Sequence, residues 1–388
     1  MLTSPEAVAL RDWLLLWRLL QQSSQAFHFL QAVFPDVPAM LAASPAQWRA
    51  AGVSPAGAAR LAAWQAREPG PCDELERALD ADLAWCEGPG AVLLTLHDPD
   101  YPPLLREIAD APPLLFLRGD AGLLALPQLA IVGSRQPSHG GRTDAGVLAG
   151  ELARAGLVIT SGMARGVDGA AHAGTLAAGG RTLAVLGSGV DTPYPREHHR
   201  LHADIIAGGG LVVSEFLPGT APLAPNFPRR NRVISGLALG VLVVEAAPES
   251  GSLITARLAA EQGRLVWALP GSRHHPQARG CLQLIRDGAT LVTDSAQILA
   301  DLPPMLGLLR EQLAMPAVPA APAPAVSREA RLLLRTLGQE CRHADWLIAS
   351  TGLAPALVLR TLSELELAGL VVAVPGGYER CASGAALA

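Results

Sequence analysis

Between about residues 125 and 300 the chain repeats one pattern: a short, nearly unbroken apolar run, a turn bearing Gly or Ser, then an amphipathic stretch. The runs fall at 129–133 (LAIVG), 157–160 (LVIT), 182–186 (TLAVL), 211–214 (LVVS), 241–245 (VLVVE) and 265–269 (LVWAL). Strands that are apolar on both faces and alternate with helices predict an α/β fold, a Rossmann-like doubly wound, mainly parallel sheet covered on both sides. Ahead of it, apolar residues recur at helical spacing through Leu10, Leu14, Trp17 and Leu20, and again through Phe27, Leu30, Val33 and Phe34. Ser44-Pro45 and Ser54-Pro55 pair a cap with a first-turn proline and predict two more helices. A small helical domain over 1–90 is therefore expected, followed by an extended sheet domain over 91–310, with turn-rich chain at 98–103 and 111–113. Residues 311–327 are Pro/Ala-rich, most densely at 315–326 (MPAVPAAPAPAV), and predict a semi-extended linker. Beyond it, 328–337, 343–350 and 355–368 read as three helices, and 370–379 as a short β-wing closing a last domain over 328–388.

Composition narrows the possible functions. The 388 residues are 50% hydrophobic and 17% charged, with a formal net charge of −5, so two or three globular domains are expected and not a disordered chain. A mildly acidic body argues against coating duplex DNA through bulk charge and requires any nucleic-acid site to be a local basic patch. Every basic residue is arginine and none is lysine. That excludes a Walker A phosphate loop and Schiff-base or pyridoxal chemistry. The five cysteines (Cys72, Cys86, Cys281, Cys341, Cys381) are scattered without a CxxC pair, which fits a reduced, cytoplasmic compartment and gives neither a zinc site nor a disulfide framework. Leu14-Leu15-Leu16-Trp17 is interrupted by Arg11, Asp12 and Arg18, and predicts an amphipathic helix in place of a membrane span.

In a parallel sheet the ligand edge lies at the carboxyl ends of the strands, and the polar residues collect there. The first run ends in Gly133-Ser134-Arg135, the second leads into Ser161-Gly162-Met163-Ala164-Arg165, the third into Gly187-Ser188-Gly189, and the fifth precedes Ser250-Gly251-Ser252. After the fourth come Ser214-Glu215 and then Asn226-Phe227-Pro228-Arg229-Arg230-Asn231-Arg232, read as a loop. That stretch offers guanidinium forks for phosphate oxygens and a ring on which a base can stack. Arg135, Arg165, Arg229, Arg230 and Arg232 are therefore expected to meet on one rim. The first turn lacks GxGxxG spacing and no acid follows the second strand where a ribose would bind, which argues against a dinucleotide cofactor. Asp168 and His172 share a helix face without a nucleophile tied to them. His198, His199 and His202, interleaved with Arg196 and Arg200, read as an exposed helix face more readily than as a metal site. The turn over 48–54 is similar to a helix-hairpin-helix turn, so the 1–90 domain is expected to be SAM-like or helix-hairpin-helix-like. A plain helix connection fits it as well.

With GSR, SGMARGVDGAAH, LGSGVDTPYP, SEFLPGT, NFPRRNRVISGL, VVEAAPESGSLITARLA and ALPGS in this order, the chain resembles the DNA-processing protein A (DprA/Smf) family. The resemblance implies a Rossmann-like domain that binds single-stranded DNA without a cofactor. It further implies a homodimer that protects incoming strands and loads the RecA recombinase in natural transformation or recombination, and a C-terminal winged-helix domain. It implies strand-binding roles for Ser134 and Arg135, for Ser161, Gly162 and Arg165, and for Phe227, Arg229, Asn231 and Arg232; Arg230 ranks lower. No catalytic or metal residue is expected. The competing reading is a nucleotide phosphoribohydrolase of the lysine-decarboxylase-like type, but the position three after Thr255, where its motif needs an acid, is Leu258. The helix at 355–368 carries only Arg360 against Glu364 and Glu366, so the last domain is expected to make protein or regulatory contacts and not to read bases.

Overall fold

A computed structural model of the chain describes residues 5–312, 327–337, 342–368, 370–374 and 376–380. Of the linker expected over 311–327, residues 313–326 lie outside the described residues, and 311–312 instead end a helix. The chain divides into two compact units, Met1–Leu313 and Ala314–Ala388.

The first unit opens with six helices: α1 (Pro5–Leu19), α2 (Ser24–Gln31), α3 (Val37–Ala42), α4 (Pro45–Ala50), α5 (Pro55–Gln65) and α6 (Pro71–Cys86). Ser44 and Ser54 are N-caps, each accepting a bond from the amide three residues on, with proline in the first turn where no N–H is needed. Arg18 of α1 donates to Asp82 of α6, which is 2% exposed. The connection from α4 to α5 turns at Gly52, whose φ of +104° no L side chain adopts without strain. These helices share one continuous hydrophobic core with the sheet.

The sheet has nine strands: β1 (Ala91–Thr95), β2 (Leu114–Gly119), β3 (Gln128–Val132), β4 (Val158–Ser161), β5 (Thr182–Val185), β6 (Leu211–Ser214), β7 (Gly240–Val243), β8 (Leu265–Ala268) and β9 (Thr290–Leu291). Their order is β1-β2-β6-β5-β4-β3-β7-β8-β9. From β6 to β9 all pairs are parallel, while β1 and β2 add antiparallel strands at one edge. The six predicted apolar runs are β3 to β8, and every residue of these strands except Leu265 and Val266 of β8 is buried, as two-sided strands must be. α7 (Pro103–Arg106) precedes β2, and α8 (His139–Arg154), α9 (Val167–Ala177), α10 (His199–Ala207), α11 (Asn226–Leu237), α12 (Gly251–Glu261) and α13 (Arg279–Arg286) connect the later strands. α14 (Ser295–Asp301) and α15 (Pro303–Gln312) complete the unit. Because β4 lies on one side of β3 and β7 on the other, the chain reverses direction across the sheet between β3 and β7. A crevice must open there at the strands' carboxyl ends.

The second unit packs α16 (Arg328–Leu337), α17 (Ala344–Thr351) and α18 (Pro355–Leu367) around Leu333, Leu334, Leu347, Val358 and Leu362. α17 and α18 meet at 118°, and β10 (Val371–Val374) pairs antiparallel with β11 (Gly377–Arg380), which is a helix-turn-helix followed by a wing. Among the described residues no single helix is long and apolar enough to cross a membrane.

Candidate nucleic-acid interface

The arginine-rich stretch read as a loop is the first two turns of α11. Pro228 sits in the first turn, where its missing N–H leaves no bond unmade. Helical periodicity then splits the motif into three faces that a loop would not separate. Phe227, Asn231 and Ile234, at i, i+4 and i+7, face the crevice between β3 and β7. Arg230, with Val233 and Leu237, faces the interior. Arg229 and Arg232, at i and i+3, turn toward the N-terminal helices.

The expectation that all these arginines share one rim is therefore corrected. Arg232 is 4% exposed. It donates to both oxygens of Glu215 at 2.8 and 2.9 Å, to Asp110 Oδ2 at 2.7 Å and to Ser24 Oγ at 2.9 Å. Burial works to lower its pKa, but Glu215 and Asp110 outweigh that, and the net shift is upward. Arg229 donates to Glu215 Oε2 at 2.8 Å and to the Gln22 carbonyl, and lies over the Phe216 ring. A guanidinium whose donors are already taken by a buried carboxylate is a strut between elements, not a free phosphate fork. Arg230 is also buried; it donates to the carbonyls of Gly162, at 2.5 Å, and of Val185, and desolvation pulls its pKa down to about 10. Gly162 is a requirement of that arrangement, since a Cβ there would stand 2.5 Å from Arg230 Nη1. Ser161 is fully buried and donates its hydroxyl to the Ile131 carbonyl at 2.6 Å. Neither Ser161 nor Gly162 lines the crevice.

Ser134, Arg135, Phe227 and Asn231 do line it, in a cleft of about 550 Å³ at the carboxyl ends of β3 and β7. Ser134 is held in place by its amide, which donates to the Glu245 carbonyl, and its Oγ accepts from the Gln136 amide. Arg135 is exposed, makes no side-chain hydrogen bond or ion pair with a described residue, and lies 5.8 Å above the Phe227 ring. Tyr194 approaches Phe227 with ring centroids 5.5 Å apart. The sequence reading missed Tyr194, although it stands in the Gly187–Pro195 segment that carries part of the resemblance. On the opposite wall, α12 begins at the N-cap Ser250, whose Oγ accepts from the Ser252 amide, and Thr255 is 2% exposed, its hydroxyl making no hydrogen bond with a described residue. A helix N-terminus and an unengaged hydroxyl facing one cleft favour an anion. Arg165 stands apart from this cleft, exposed and paired with Glu197 at 2.8 Å.

Two acids beside the cleft are already engaged, while Glu249, exposed on its wall, makes no side-chain hydrogen bond or ion pair with a described residue. Glu245 accepts from the Ser138 amide and hydroxyl at 2.8 and 2.6 Å, fixing the start of α8. Asp168 accepts from the Gly162 and Ala164 amides, and burial raises its pKa against the opposing pull of Arg230. His172 does not bond to Asp168; its Nδ1 donates to Thr182 Oγ1 at 2.7 Å, which in turn donates to the Ile159 carbonyl. Its Nε2 is buried without a partner, and desolvation, helped by His198 and Arg230, pushes its pKa down to about 3. Between that value and an unfolded pKa near 6.5 the unfolded chain binds the extra proton, so this stability is full above about pH 6.5 and lost as pH falls toward 3. The raised Asp168 pKa works in the opposite direction. Urea melts of wild type and His172→Gln across that window should separate the two. Wild type is expected to lose stability more steeply than the variant, by up to about 1.4 kcal/mol per pH unit, and equal slopes would refute the assignment. His198 and His202 bond to the Met163 and Val190 carbonyls, and among the described residues no group of three His, Cys, Asp or Glu side chains is placed to hold a metal.

An open α/β sheet with an aromatic-edged cleft at its switch point, carrying the unpaired Arg135, defines a Rossmann-like binding protein. Comparison with known proteins makes the assignment specific. A family model described as DNA recombination-mediator protein A matches residues 92–303, and one described as DprA winged helix domain matches 317–377. Protein Smf of Escherichia coli (strain K12) is 43% identical over 312 residues, covering 78% of this chain and 81% of that protein. DNA processing protein DprA of Streptococcus pneumoniae (strain ATCC BAA-255 / R6) is 48% identical over 207 residues, 53% of this chain and 73% of that one. The X-ray structure of DNA processing protein A from Streptococcus pneumoniae aligns with a TM-score of 0.62 at 37% identity, covering 75% of this chain and 97% of that chain. The chain belongs to the DprA/Smf family, with a Rossmann-like sheet and a C-terminal winged helix.

Proposed function

We propose that the protein binds single-stranded DNA in the switch-point cleft and, as a homodimer, protects the strand and passes it to a RecA-type recombinase. The observation that carries the binding reading is the pairing of Arg135 with Phe227 at the mouth of the cleft, opposite the start of α12. Arg135 and the helix N-terminus suit phosphate oxygens, and Phe227 beside Tyr194 suits a base face. A stacked base is held by its π-face, which every base has, so binding is sequence-tolerant. Recombinase hand-over and the homodimer rest on family membership.

The reading assigns no chemistry to the cleft. Glu245 spends both oxygens on the Ser138 amide and hydroxyl, Asp168 Oδ2 is held by the Gly162 and Ala164 amides, and position 258, where the hydrolase motif needs an acid, is leucine. Fluorescence anisotropy with labelled oligo-dT over a range of salt tests the binding. One or two neutralised phosphates in this cleft should give a log–log salt slope of about −0.7 to −1.4 for a short oligonucleotide. Absence of binding at micromolar protein, or affinity indifferent to salt, would defeat it.

A further inference from the structure

A second groove opens on the other side of Arg135, between α8, α9 and α10. Arg135, Arg142, Arg165 and Arg200 stand around it. Gly166, Gly169, Ala170 and Ala173 line it with little side chain, and the His198 ring packs on Gly169, where an added Cβ would stand 2.7 Å from His198 Cε1. Two carboxylates share the groove: Glu197, paired with Arg165 at 2.8 Å, and Asp204, 3.7 Å from Arg200 on the same helix. All three of these new arginines are exposed, and Arg142 makes no side-chain hydrogen bond or ion pair with a described residue.

Four arginines against two acids make a local excess of positive charge on a chain whose net charge is −5. Exposed ion pairs such as Arg165–Glu197 and Arg200–Asp204 are individually weak and screened, so an incoming phosphate can compete with the carboxylate for the guanidinium. Arg135 belongs to both the switch-point cleft and this groove, which makes the two clefts continuous across a single side chain. We propose that the groove between α8, α9 and α10 carries the next phosphates of the strand, with Arg135 at the junction and Arg142 and Arg200 as its added contacts. The inference rests on the strand-binding reading above and extends it from a pocket for about one nucleotide to a path. Shape supports it, because Ala170 and Ala173 admit a backbone closely, while the one ring in the lining, His198, is packed on Gly169 and tied to the Met163 carbonyl, so phosphates are held here and bases in the first cleft.

The test compares oligo-dT of about 4 and about 16 nucleotides, the range spanned by single-strand site sizes. Wild type should bind the longer one more tightly and with a steeper salt slope. Arg142→Ala/Arg200→Ala should weaken binding of the longer oligonucleotide roughly tenfold or more and flatten its slope by about 1.4, two phosphates' worth, with the short one unaffected. Equal behaviour of variant and wild type on both lengths overturns the path and leaves the cleft reading standing. Failure of wild type to bind either length overturns both.

Discussion

Replacing Arg232 by alanine is expected to destabilise the first unit by about 3 kcal/mol or more and to lower its melting temperature by roughly 6–12 °C, while the folded protein keeps its affinity for single strands. The reason is the partner left behind. Glu215 is 1% exposed, and two of its three charge-assisted bonds come from Arg232. Deleting one member of a buried pair strands the other in a medium that cannot solvate it, and the Ser24 and Asp110 contacts that tie α11 to the N-terminal helices and to the chain before β2 go with it. Arg229, with one bond to the same carboxylate, can offset only part of this. A control separates the pair from the packing. Glu215→Leu/Arg232→Met removes both charges, keeps volume, and should recover much of the lost stability. Thermal melts and anisotropy on the same samples decide the matter: a tenfold loss of binding with an unchanged melt would return Arg232 to the strand-binding surface.

The same residue shows where sequence reasoning runs out. The strands from β3 to β8 were legible because two-sided burial writes near-continuous apolar runs, and Ser44 and Ser54 were legible because a capped helix start with proline has a local signature. β1 and β2 were not found. They flank turn-rich chain, pair antiparallel, and owe their place to contact with β6 and not to any repeat of their own. β9 has two residues, too few to show a period. At the site, composition announced the cluster at 226–232, yet direction depends on whether that segment is helix or loop. Treated as a loop, all its arginines can converge; treated as a helix, Arg229 and Arg232 part from Arg230, and both faces part from Phe227 and Asn231, by geometry alone. Which face then meets DNA is decided by Glu215, eleven residues before Asn226 begins α11, through a buried contact with no sequence pattern. Tyr194 reaches Phe227 by the same kind of tertiary approach.

Phe227→Ala should weaken binding of short oligo-dT by about 5- to 150-fold, the equivalent of about 1–3 kcal/mol of base stacking, without changing the salt slope. The ring is half-buried. One edge lies close to Gly187, where an added Cβ would come within 2.9 Å of Phe227 Cδ1, and its open side carries Arg135 at 5.8 Å. A ring so placed has little freedom to lose when a base settles on it, which keeps the entropic cost of stacking low. Arg135→Ala makes the contrasting prediction, since a lost phosphate contact should lower affinity about tenfold and also flatten the slope by about 0.7. Gly187→Ala probes the seat itself: the new methyl must displace the ring, so binding should fall partway toward the Phe227→Ala value, and Phe227→Trp, which keeps a stacking face, should retain most of it. The pattern across the four variants matters more than any one value. If Phe227→Ala flattened the salt slope as Arg135→Ala does, the ring would be acting only by positioning the guanidinium above it, and the division of labour between a stacking side and a phosphate side of this cleft would be wrong.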